Sequence, residues 1–513
     1  MKKLICILLC LCMLVPAAVI VGSADEVTAV DITKSAKVTG KGYTGVRFIT
    51  DKKTTTFHTS DPTAEISFEN TDGIGSMYII MNFEYGEIIV CDKETGEEKA
   101  VDSKGILHFF IDVEKLFGRT LKSASVKFES GEVSLSEIYL FSSGKAPDFV
   151  QTWQEPYEGG ADLVLFSTHG DDEQLFFAGL LPLYAGEKGL RVQVVYLTDH
   201  RNMTNARVHE MLNGLWAVGV KAYPVFGGFD DQRTYDLEGT YKYYEKQGVA
   251  RDELQQFVVE QVRRFKPMVA VGHDINGEYG HGMHMMYTDL LIKALDMAPD
   301  RTKFKDSYIK YGGWKVPKTY LHLYGENKIT LDYDTPLESF DGLTAFQASQ
   351  KLGYPCHLSQ QYTWFTDWIN GKNGAITKVT QIKENNPAEF GLYRSEVGLD
   401  TKGEDMFENV MTYAEQEEEA KRLEELKKQE EAERLEEDKK KEEAANKDNE
   451  TTADEPKADE GENETKPGGI PKTMIIALIA VGGAVLVGII ASVATALARA
   501  RKMRRRATYI NRR

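Results

Sequence analysis

The pattern of apolar and polar positions changes near residue 150. Between about residues 26 and 147, short strand-like runs such as Met77–Met81 are separated by clusters of Gly, Asp and Ser, which is typical of a β-sandwich. From residue 161 onward, buried apolar runs alternate with helix-like stretches, which predicts a parallel sheet with helices on both faces. We therefore predict a multidomain chain, with a β-sandwich at 25–147 and an α/β domain at 155–413.

Both ends of the chain have patterns typical of an exported, membrane-anchored protein. Residues 1–24 combine Lys2 and Lys3 with an apolar core and a small-residue cleavage site, which predicts a signal peptide. Residues 473–498 form an uncharged apolar run long enough to span a bilayer. The basic tail at 499–513 predicts a cytoplasmic C-terminus and an extracellular bulk, as on a Gram-positive surface.

A charged segment precedes the predicted transmembrane helix. Residues 414–445 are almost wholly Glu, Lys, Arg, Ala and Leu, with favourable ion pairs four residues apart. Their leucines are too sparse for a sustained heptad seam, so we predict a solvated single helix, with a weak coiled coil as the alternative. Residues 446–472 are acidic and poor in apolar residues, which predicts a disordered linker.

The net charge bears on the class of binding partner, and the cysteine content bears on disulfide formation. The formal net charge of −17 sums an acidic exterior and a basic tail, so it gives no support for nucleic-acid binding. The predicted mature chain has only Cys91 and Cys356, which fall in different predicted domains. We therefore expect no disulfide framework.

The first candidate site follows the apolar run Leu163–Phe166, where a buried strand gives way to polar residues and a helix-like stretch. Open α/β sheets bind their ligands at such strand ends. His169, Asp171 and Asp172 supply the nitrogen and oxygen donors that zinc takes. Considered alone, they could equally be a turn histidine and two helix-capping carboxylates.

A second candidate site lies about a hundred residues later. The apolar run Met268–Gly272 is followed by a Gly-rich loop that contains His281 and His284. These two histidines are three residues apart, so they would face the same way on one helical turn. Two strand-end clusters on one parallel sheet can converge on one metal ion, which makes the joint interpretation stronger than either half.

These motifs resemble those of the PIG-L (LmbE-like) zinc-dependent de-N-acetylases over roughly residues 160 to 370. The segment 169–173 is similar to the family's His-Pro-Asp-Asp-Glu, and 279–284 to its Tyr-Gly-His-Pro-Asp-His. Arg207-x-x-Glu210 with Val218-Gly219-Val220, and the segment 357–360, resemble two further family motifs. The sequence departs from the family at Gly170, which replaces proline, and at Gly282 and Met283, which replace Pro-Asp.

The resemblance implies a Rossmann-like deacetylase fold, a Zn²⁺ cofactor and specific residue roles. His169, Asp172 and His284 would hold the metal. Asp171 would be the general base. His281 would stabilise the oxyanion or donate to the leaving amine, and Tyr279 would add a hydrogen bond there. Arg207 and His357 would contact the substrate, an N-acetylated glycan. We interpret three other histidines as structural, namely His200, His209 and His322.

The N-terminal segment resembles, more loosely, the galactose-binding-like jelly rolls that are often fused to carbohydrate enzymes. Such a domain either binds glycan or serves only as a packing module, and the sequence leaves both open.

Three functions remain open from the sequence. The first is an extracellular zinc-dependent enzyme that removes N-acetyl groups from N-acetylglucosamine-type sugars. The second is an amidase that cleaves another N-acyl bond. The third is a surface glycan-binding protein with a decayed catalytic domain, which the departures at Gly170 and Met283 would explain.

Overall fold

The computed structural model describes residues 27–450, except 44, 57, 61–63, 129–132, 201–204, 362–367 and 370–375. The predicted signal peptide, the transmembrane helix, the basic tail and all but the first residues of the acidic linker lie outside the described residues. Among the helices that are described, none has the length and apolar character needed to cross a bilayer.

The N-terminal region consists of two antiparallel sheets. The strands are β1 Lys37–Lys41, β2 His58–Ser60, β3 Glu65–Ile74, β4 Ser76–Met81, β5 Glu87–Asp92, β6 Glu98–Asp102, β7 His108–Asp112, β8 Leu121–Phe128 and β9 Val133–Phe141, with helix α1 Val113–Phe117 after β7. One sheet has the order β1-β3-β8-β5-β6 and the other β2-β9-β4-β7. The predicted strand-rich region is therefore confirmed, whereas its resemblance to galactose-binding jelly rolls stays a prediction.

The second region is built on one seven-stranded sheet with the order β12-β11-β10-β13-β14-β16-β15. Its strands are β10 Leu163–Ser167, β11 Val192–Thr198, β12 Val225–Phe229, β13 Val269–Gly272, β14 Lys318–His322, β15 Lys328–Thr330 and β16 Glu389–Ser395. The first five strands in this order, from β12 through β11, β10 and β13 to β14, pair in parallel. Strand β16 pairs antiparallel with both β14 and β15. The predicted all-parallel sheet is thus wrong at this edge, where partly exposed antiparallel strands are tolerated.

The structure describes seven α-helices after the sandwich. They are α2 Ala206–Ala217, α3 Leu237–Lys246, α4 Arg251–Phe265, α5 Gly282–Met297, α6 Lys305–Tyr311, α7 Ala345–Ala348 and α8 Tyr413–Glu450. Helix α8 covers the predicted charged helix and also residues 446–450, where the prediction of a disordered linker is wrong. The two described cysteines, Cys91 and Cys356, are both free.

The order of the strands in the sheet determines where the candidate site lies. Chain order runs from β10 outward to β11 and β12 on one side, and then returns to β13 on the other side of β10. Leu163 therefore pairs with Val269, and Leu165 with Val271, across more than a hundred residues of sequence. Ligands bind at such a switch in strand order, beyond the carboxyl ends of the strands. The two histidine-containing loops leave the sheet at this point.

Part of the second region packs into the hydrophobic core of the sandwich. Val208 and Leu212 of α2 and Tyr223 pack into the same buried cluster as the sandwich residues. His108 Nε2 lies 2.8 Å from His209 Nδ1, and the hydroxyl of Tyr78 lies 2.9 Å from His108 Nδ1. The sandwich therefore anchors the helix that carries Arg207, and His209 has the structural role expected of it.

The buried His108–His209 contact predicts a stability that depends on pH. Burial lowers the pKa of His209 to about 4, so between this value and the unfolded pKa the unfolded chain binds a proton that the folded chain does not bind. Because the pKa of His209 is lower in the folded state, neutral His209 contributes stability that is complete above the unfolded pKa of roughly 6.5. This stability is lost as the pH falls towards about 4. We expect wild type to lose about 2 kcal/mol more unfolding free energy than His209→Gln between pH 7 and pH 5. Urea unfolding at both pH values measures the difference, and parallel losses would contradict it.

Candidate metal centre

Three donor atoms converge at the carboxyl ends of β10 and β13. His169 Nδ1 lies 3.0 Å from Asp172 Oδ2 and 3.1 Å from His284 Nε2, and the latter lies 3.2 Å from Asp172 Oδ2. All three side chains are buried. A tetrahedral ion bound at about 2.05 Å has ligand atoms roughly 3.3 Å apart. The predicted ligands therefore fit a zinc-like ion.

The local fold explains how these residues meet. His169 and Asp172 lie in the turn after β10, and the backbone N–H of His169 donates to Asp172 Oδ2 at 2.8 Å. His281 is the N-cap of α5, and its Nδ1 accepts from the backbone N–H of Met283 at 3.2 Å. His284 in the first turn of α5 is thereby directed back towards β10.

A buried carboxylate that we did not predict, Glu278, organises the histidines. Its Oε2 lies 2.7 Å from His284 Nδ1 and 2.9 Å from His273 Nδ1, and its Oε1 lies 2.7 Å from His322 Nδ1. Burial opposes the ionisation of Glu278, but the surrounding histidines hold its pKa well below the usual range. A carboxylate on the far ring nitrogen is the usual support of a metal-binding histidine, because it fixes the tautomer.

His273 is close to the centre but is not available as a ligand. Its Nε2 accepts a hydrogen bond from the backbone N–H of Thr168 at 3.0 Å, and its Nδ1 faces Glu278. Both ring nitrogens of His322 are also occupied, since Nε2 lies 2.9 Å from the carbonyl of Asn386. His273 and His322 therefore support Glu278, and the structural role expected of His322 agrees with this position.

Asp171, Arg207 and Asp231 form the polar rim of the centre. Arg207 Nη2 lies 3.5 Å from Asp171 Oδ1, and Nη1 lies 3.8 Å from Asp231 Oδ2. Asp231 Oδ1 also lies 3.1 Å from His169 Nε2, so His169, like His284, has a carboxylate partner on its far ring nitrogen. Burial raises the pKa of Asp171 to about 6, against the opposing charge of Arg207. Asp171 thus has the basicity that a general base needs.

His281 and Tyr279 pack beside the predicted ligands. The ring of His281 is 4.8 Å from that of His169, and the ring of Tyr279 is 5.4 Å from that of His281. Burial lowers the pKa of His281 to about 2, so the ring is neutral and carries its proton on Nε2. Tyr279 adopts a left-handed backbone, with φ of 47°. Such strain in a non-glycine residue is concentrated at functional sites.

The predicted substrate residue His357 is fully buried. Its Nε2 lies 2.8 Å from Glu173 Oε1, and the carboxylate raises the pKa of His357 although burial opposes the charge. It also lies beside Gly214 of α2, where an added Cβ would come within 2.9 Å of Nε2. The structure therefore places His357 behind Asp171 and Asp172, and its contact with substrate stays a prediction.

The two glycines that replace motif prolines both use their N–H groups. Gly170 donates to His200 Nε2 at 3.1 Å, and Gly282 donates to the carbonyl of Thr234 at 2.8 Å. A Cβ on Gly170 would lie 2.2 Å from the sulfur of Met211. Met283, in place of the motif aspartate, is buried with its sulfur 3.4 Å from the hydroxyl of Tyr244. These departures are integrated into the packing.

Restoring the motif proline is therefore expected to destabilise the protein. Gly170→Pro would remove the hydrogen bond to His200 and force the side chain of Met211 to move, at a cost of about 2 kcal/mol. Urea unfolding measures the loss. In a Met211→Ala background the same proline should cost less, because only the hydrogen bond is then lost. An equal cost in both backgrounds would contradict the steric part of this account.

The main residues missed from the sequence are Glu278, Asp231 and His273. Asp231 is the second residue after β12, so a search of the third strand end would have found it. His273 likewise follows β13 at once. Glu278 gave no comparable signal, because a carboxylate in a Gly-rich loop normally faces solvent.

Residues 164–295 match the family described as "PIG-L: GlcNAc-PI de-N-acetylase". A 1D-myo-inositol 2-acetamido-2-deoxy-alpha-D-glucopyranoside deacetylase 1 from Catenulispora acidiphila is 28% identical over 215 residues, which cover 37% of this chain and 65% of that protein. A deacetylase of the same substrate name from Geodermatophilus obscurus is 27% identical over 179 residues, 31% of this chain and 60% of that protein. The chain thus spans less than two thirds of the length of these curated relatives.

Among solved structures, the N,N'-diacetylchitobiose deacetylase from Pyrococcus horikoshii is similar to 47% of this chain and 86% of its own, at 14% identity and a TM-score of 0.33. The family match covers β10 to β13 and most of α5, the elements that supply every predicted metal ligand. Residues 164–295 of this chain therefore belong to the PIG-L family.

Proposed function

We propose that this protein is a metal-dependent hydrolase that removes the N-acetyl group from an N-acetylglucosamine-type sugar of a glycan and releases acetate. The observation that carries the proposal is the convergence of His169, Asp172 and His284 beside Asp171. The curated relatives from Catenulispora and Geodermatophilus, whose names specify deacetylation of a 2-acetamido sugar, support the same reaction class.

The residues fit the requirements of amide hydrolysis. A zinc ion held by the three donors would polarise the acetamide carbonyl and lower the pKa of a water molecule. Although burial opposes ionisation of Asp172, the adjacent His284 and His169 hold its pKa well below the usual range, so it is an anionic donor. The ligand His169 is supported by Asp231 and the ligand His284 by Glu278.

Asp171 is the proton carrier in the proposed mechanism. Its carboxylate accepts the proton of the attacking water and then delivers it to the amine nitrogen as the C–N bond breaks. The products are acetate and the free amino sugar. Arg207, with Nη2 3.5 Å from Asp171 Oδ1 and Nη1 3.8 Å from Asp231 Oδ2, orients this carboxylate.

His281 is assigned to the oxyanion. Because its Nδ1 accepts from Met283 N–H, its Nε2–H can donate to the oxygen of the tetrahedral intermediate. The ring is neutral, which favours a hydrogen-bond role over proton donation to the leaving amine. The hydroxyl of Tyr279 offers a further donor beside it, with the ring packed at 5.7 Å from that of Phe176.

Acetate release tests the proposal. Purified protein loaded with zinc should release acetate and a free amine from N-acetylglucosamine, chito-oligosaccharides or an N-acetylglucosaminyl inositol. Removal of the metal with a chelator should abolish the reaction, and added zinc should restore it. Release of another acid from a panel of N-acyl compounds would favour the amidase. Tight zinc binding without any hydrolysis would favour the decayed glycan-binding protein.

We also propose that the enzyme acts outside the cell from a membrane anchor. The signal-peptide pattern at 1–24 and the apolar run with its basic tail at 473–513 support this topology. A form that lacks 473–513 should appear in the culture medium, whereas the full chain should sediment with membranes and be cleaved by protease added to intact cells. A cytosolic full chain would contradict the topology.

A further inference from the structure

A large cleft lies where the sandwich meets the deacetylase region. It has a volume of about 1120 Å³ and is lined by the connecting segment 145–154, the last turns of α2 and the segment 351–356. We call it the junction groove. It is distinct from the metal centre, since its lining contains none of the metal-binding or catalytic side chains.

The charge of the junction groove is opposite to that of the whole chain. Lys145, Lys221 and Lys351 line it, with Asp148 as the one acidic lining residue. All three lysines are exposed, and none forms an ion pair within the described part of the chain. In a protein of net charge −17, the lining of this cleft carries a positive charge even though Asp148 interacts with Lys221, because Lys145 and Lys351 add to it, and a positive lining attracts anions.

The groove also offers apolar ring surface. Phe149 is 51% exposed, and Leu352 is 37% exposed. Trp216 is fixed in place, because its Nε1 donates to the carbonyl of Asp148 at 3.1 Å and Lys221 Nζ lies 3.9 Å above its ring. Fixed aromatic surface beside polar groups is the composition of a small-ligand site, and the C–H face of a sugar ring packs on such surface.

Helix α2 connects the groove to the catalytic centre. It carries Arg207 in its first turn and Trp216 in its last, nine residues or ~14 Å apart along the axis. Cys356, which lines the groove, directly precedes His357 behind the centre. A glycan strand of several sugars therefore has the reach to occupy both places.

We propose that the junction groove binds a glycan strand that carries anionic groups, and thereby holds a polymeric substrate near the catalytic centre. The proposal rests on the proposed deacetylase function for its biological meaning, but the binding itself does not require catalysis. The lysines recognise carboxylate or phosphate groups, and the exposed ring of Phe149 contacts a sugar ring.

The experiment measures binding of three probes to the metal-free full-length protein by calorimetry. The first is a hexasaccharide of alternating N-acetylglucosamine and glucuronate, the second is a poly(glycerol phosphate) carrying N-acetylglucosamine, and the third is neutral chitohexaose. We expect at least one acidic probe to bind more tightly than chitohexaose, and its affinity to fall with salt. The preferred acidic probe identifies carboxylate or phosphate as the anion.

Matched variants assign the site. Replacing Lys145, Lys221 and Lys351 together with Ser should weaken the acidic probe about tenfold. The control replaces three other exposed, unpaired lysines with Ser, namely Lys34, Lys122 and Lys246, and should bind as wild type does. Equal binding of acidic and neutral probes, binding of none, or equal affinities of the two triple variants would overturn the proposal. Because acetate release is not the readout, a failed deacetylase assay leaves this result interpretable.

Discussion

Replacement of Asp171 with Asn is expected to lower kcat about 10³-fold while zinc binding persists. Asn has nearly the same shape but cannot accept the proton of the attacking water, and a positioned general base contributes typically about 10²–10⁴-fold. The effect should be large because Asp171 is buried, so bulk water cannot replace it, and burial raises its pKa to about 6. Steady-state kinetics of acetate release and a zinc titration measure the two quantities.

The control for Asp171 applies the same chemical change at an exposed carboxylate. Asp252→Asn, in the first turn of α4, should leave kcat and zinc affinity unchanged. If Asp171→Asn kept wild-type kcat, the assignment of the base would be refuted. If the variant lost zinc as well, Asp171 would have to be reassigned to the metal ligands.

Replacement of Glu278 with Gln is expected to weaken both the metal site and the fold. Gln has one acceptor oxygen, whereas the Glu278 carboxylate faces the Nδ1 atoms of His273, His284 and His322. Loss of such a support typically reduces metal affinity about 10–100-fold. Breaking a fully buried charge cluster should also lower the unfolding free energy by about 3 kcal/mol.

Zinc competition with a coloured chelator and urea unfolding of the metal-free protein separate the two effects of Glu278→Gln. The control is Glu253→Gln, an exposed carboxylate in the first turn of α4, which should change neither quantity. Undiminished zinc affinity in Glu278→Gln would show that His284 holds its tautomer without this carboxylate.

The position of the metal centre could be anticipated from the sequence because polar clusters follow two buried strands, whereas its ligand set was implied by the resemblance to the de-N-acetylase motifs. A short apolar run followed by His169 and two carboxylates marks the end of β10, and an apolar run followed by a histidine-containing loop marks the end of β13. The supports of these ligands were harder to foresee. Glu278 lies in a glycine-rich loop and Asp231 follows another strand, so neither is next to its histidine in sequence.

The antiparallel pairing at the edge of the sheet and the contact between the sandwich and α2 could not be predicted from the sequence either. The direction of β16 depends on its pairing with β14 and β15, which nothing in residues 389–395 encodes locally. The same limit applies to α2, whose apolar residues Val208 and Leu212 would be expected to pack only against its own sheet. Periodicity shows that a face is buried but not which surface covers it.

The continuity of the core between the sandwich and α2 has a practical consequence for anyone who trims this protein. A fragment begun at residue 155 would expose Val208, Leu212 and Tyr223 to water, at roughly 1.5–3 kcal/mol for each large apolar side chain. Such a fragment should be poorly soluble even though it retains every ligand of the metal. The smallest well-behaved fragment therefore includes the strands of the sandwich.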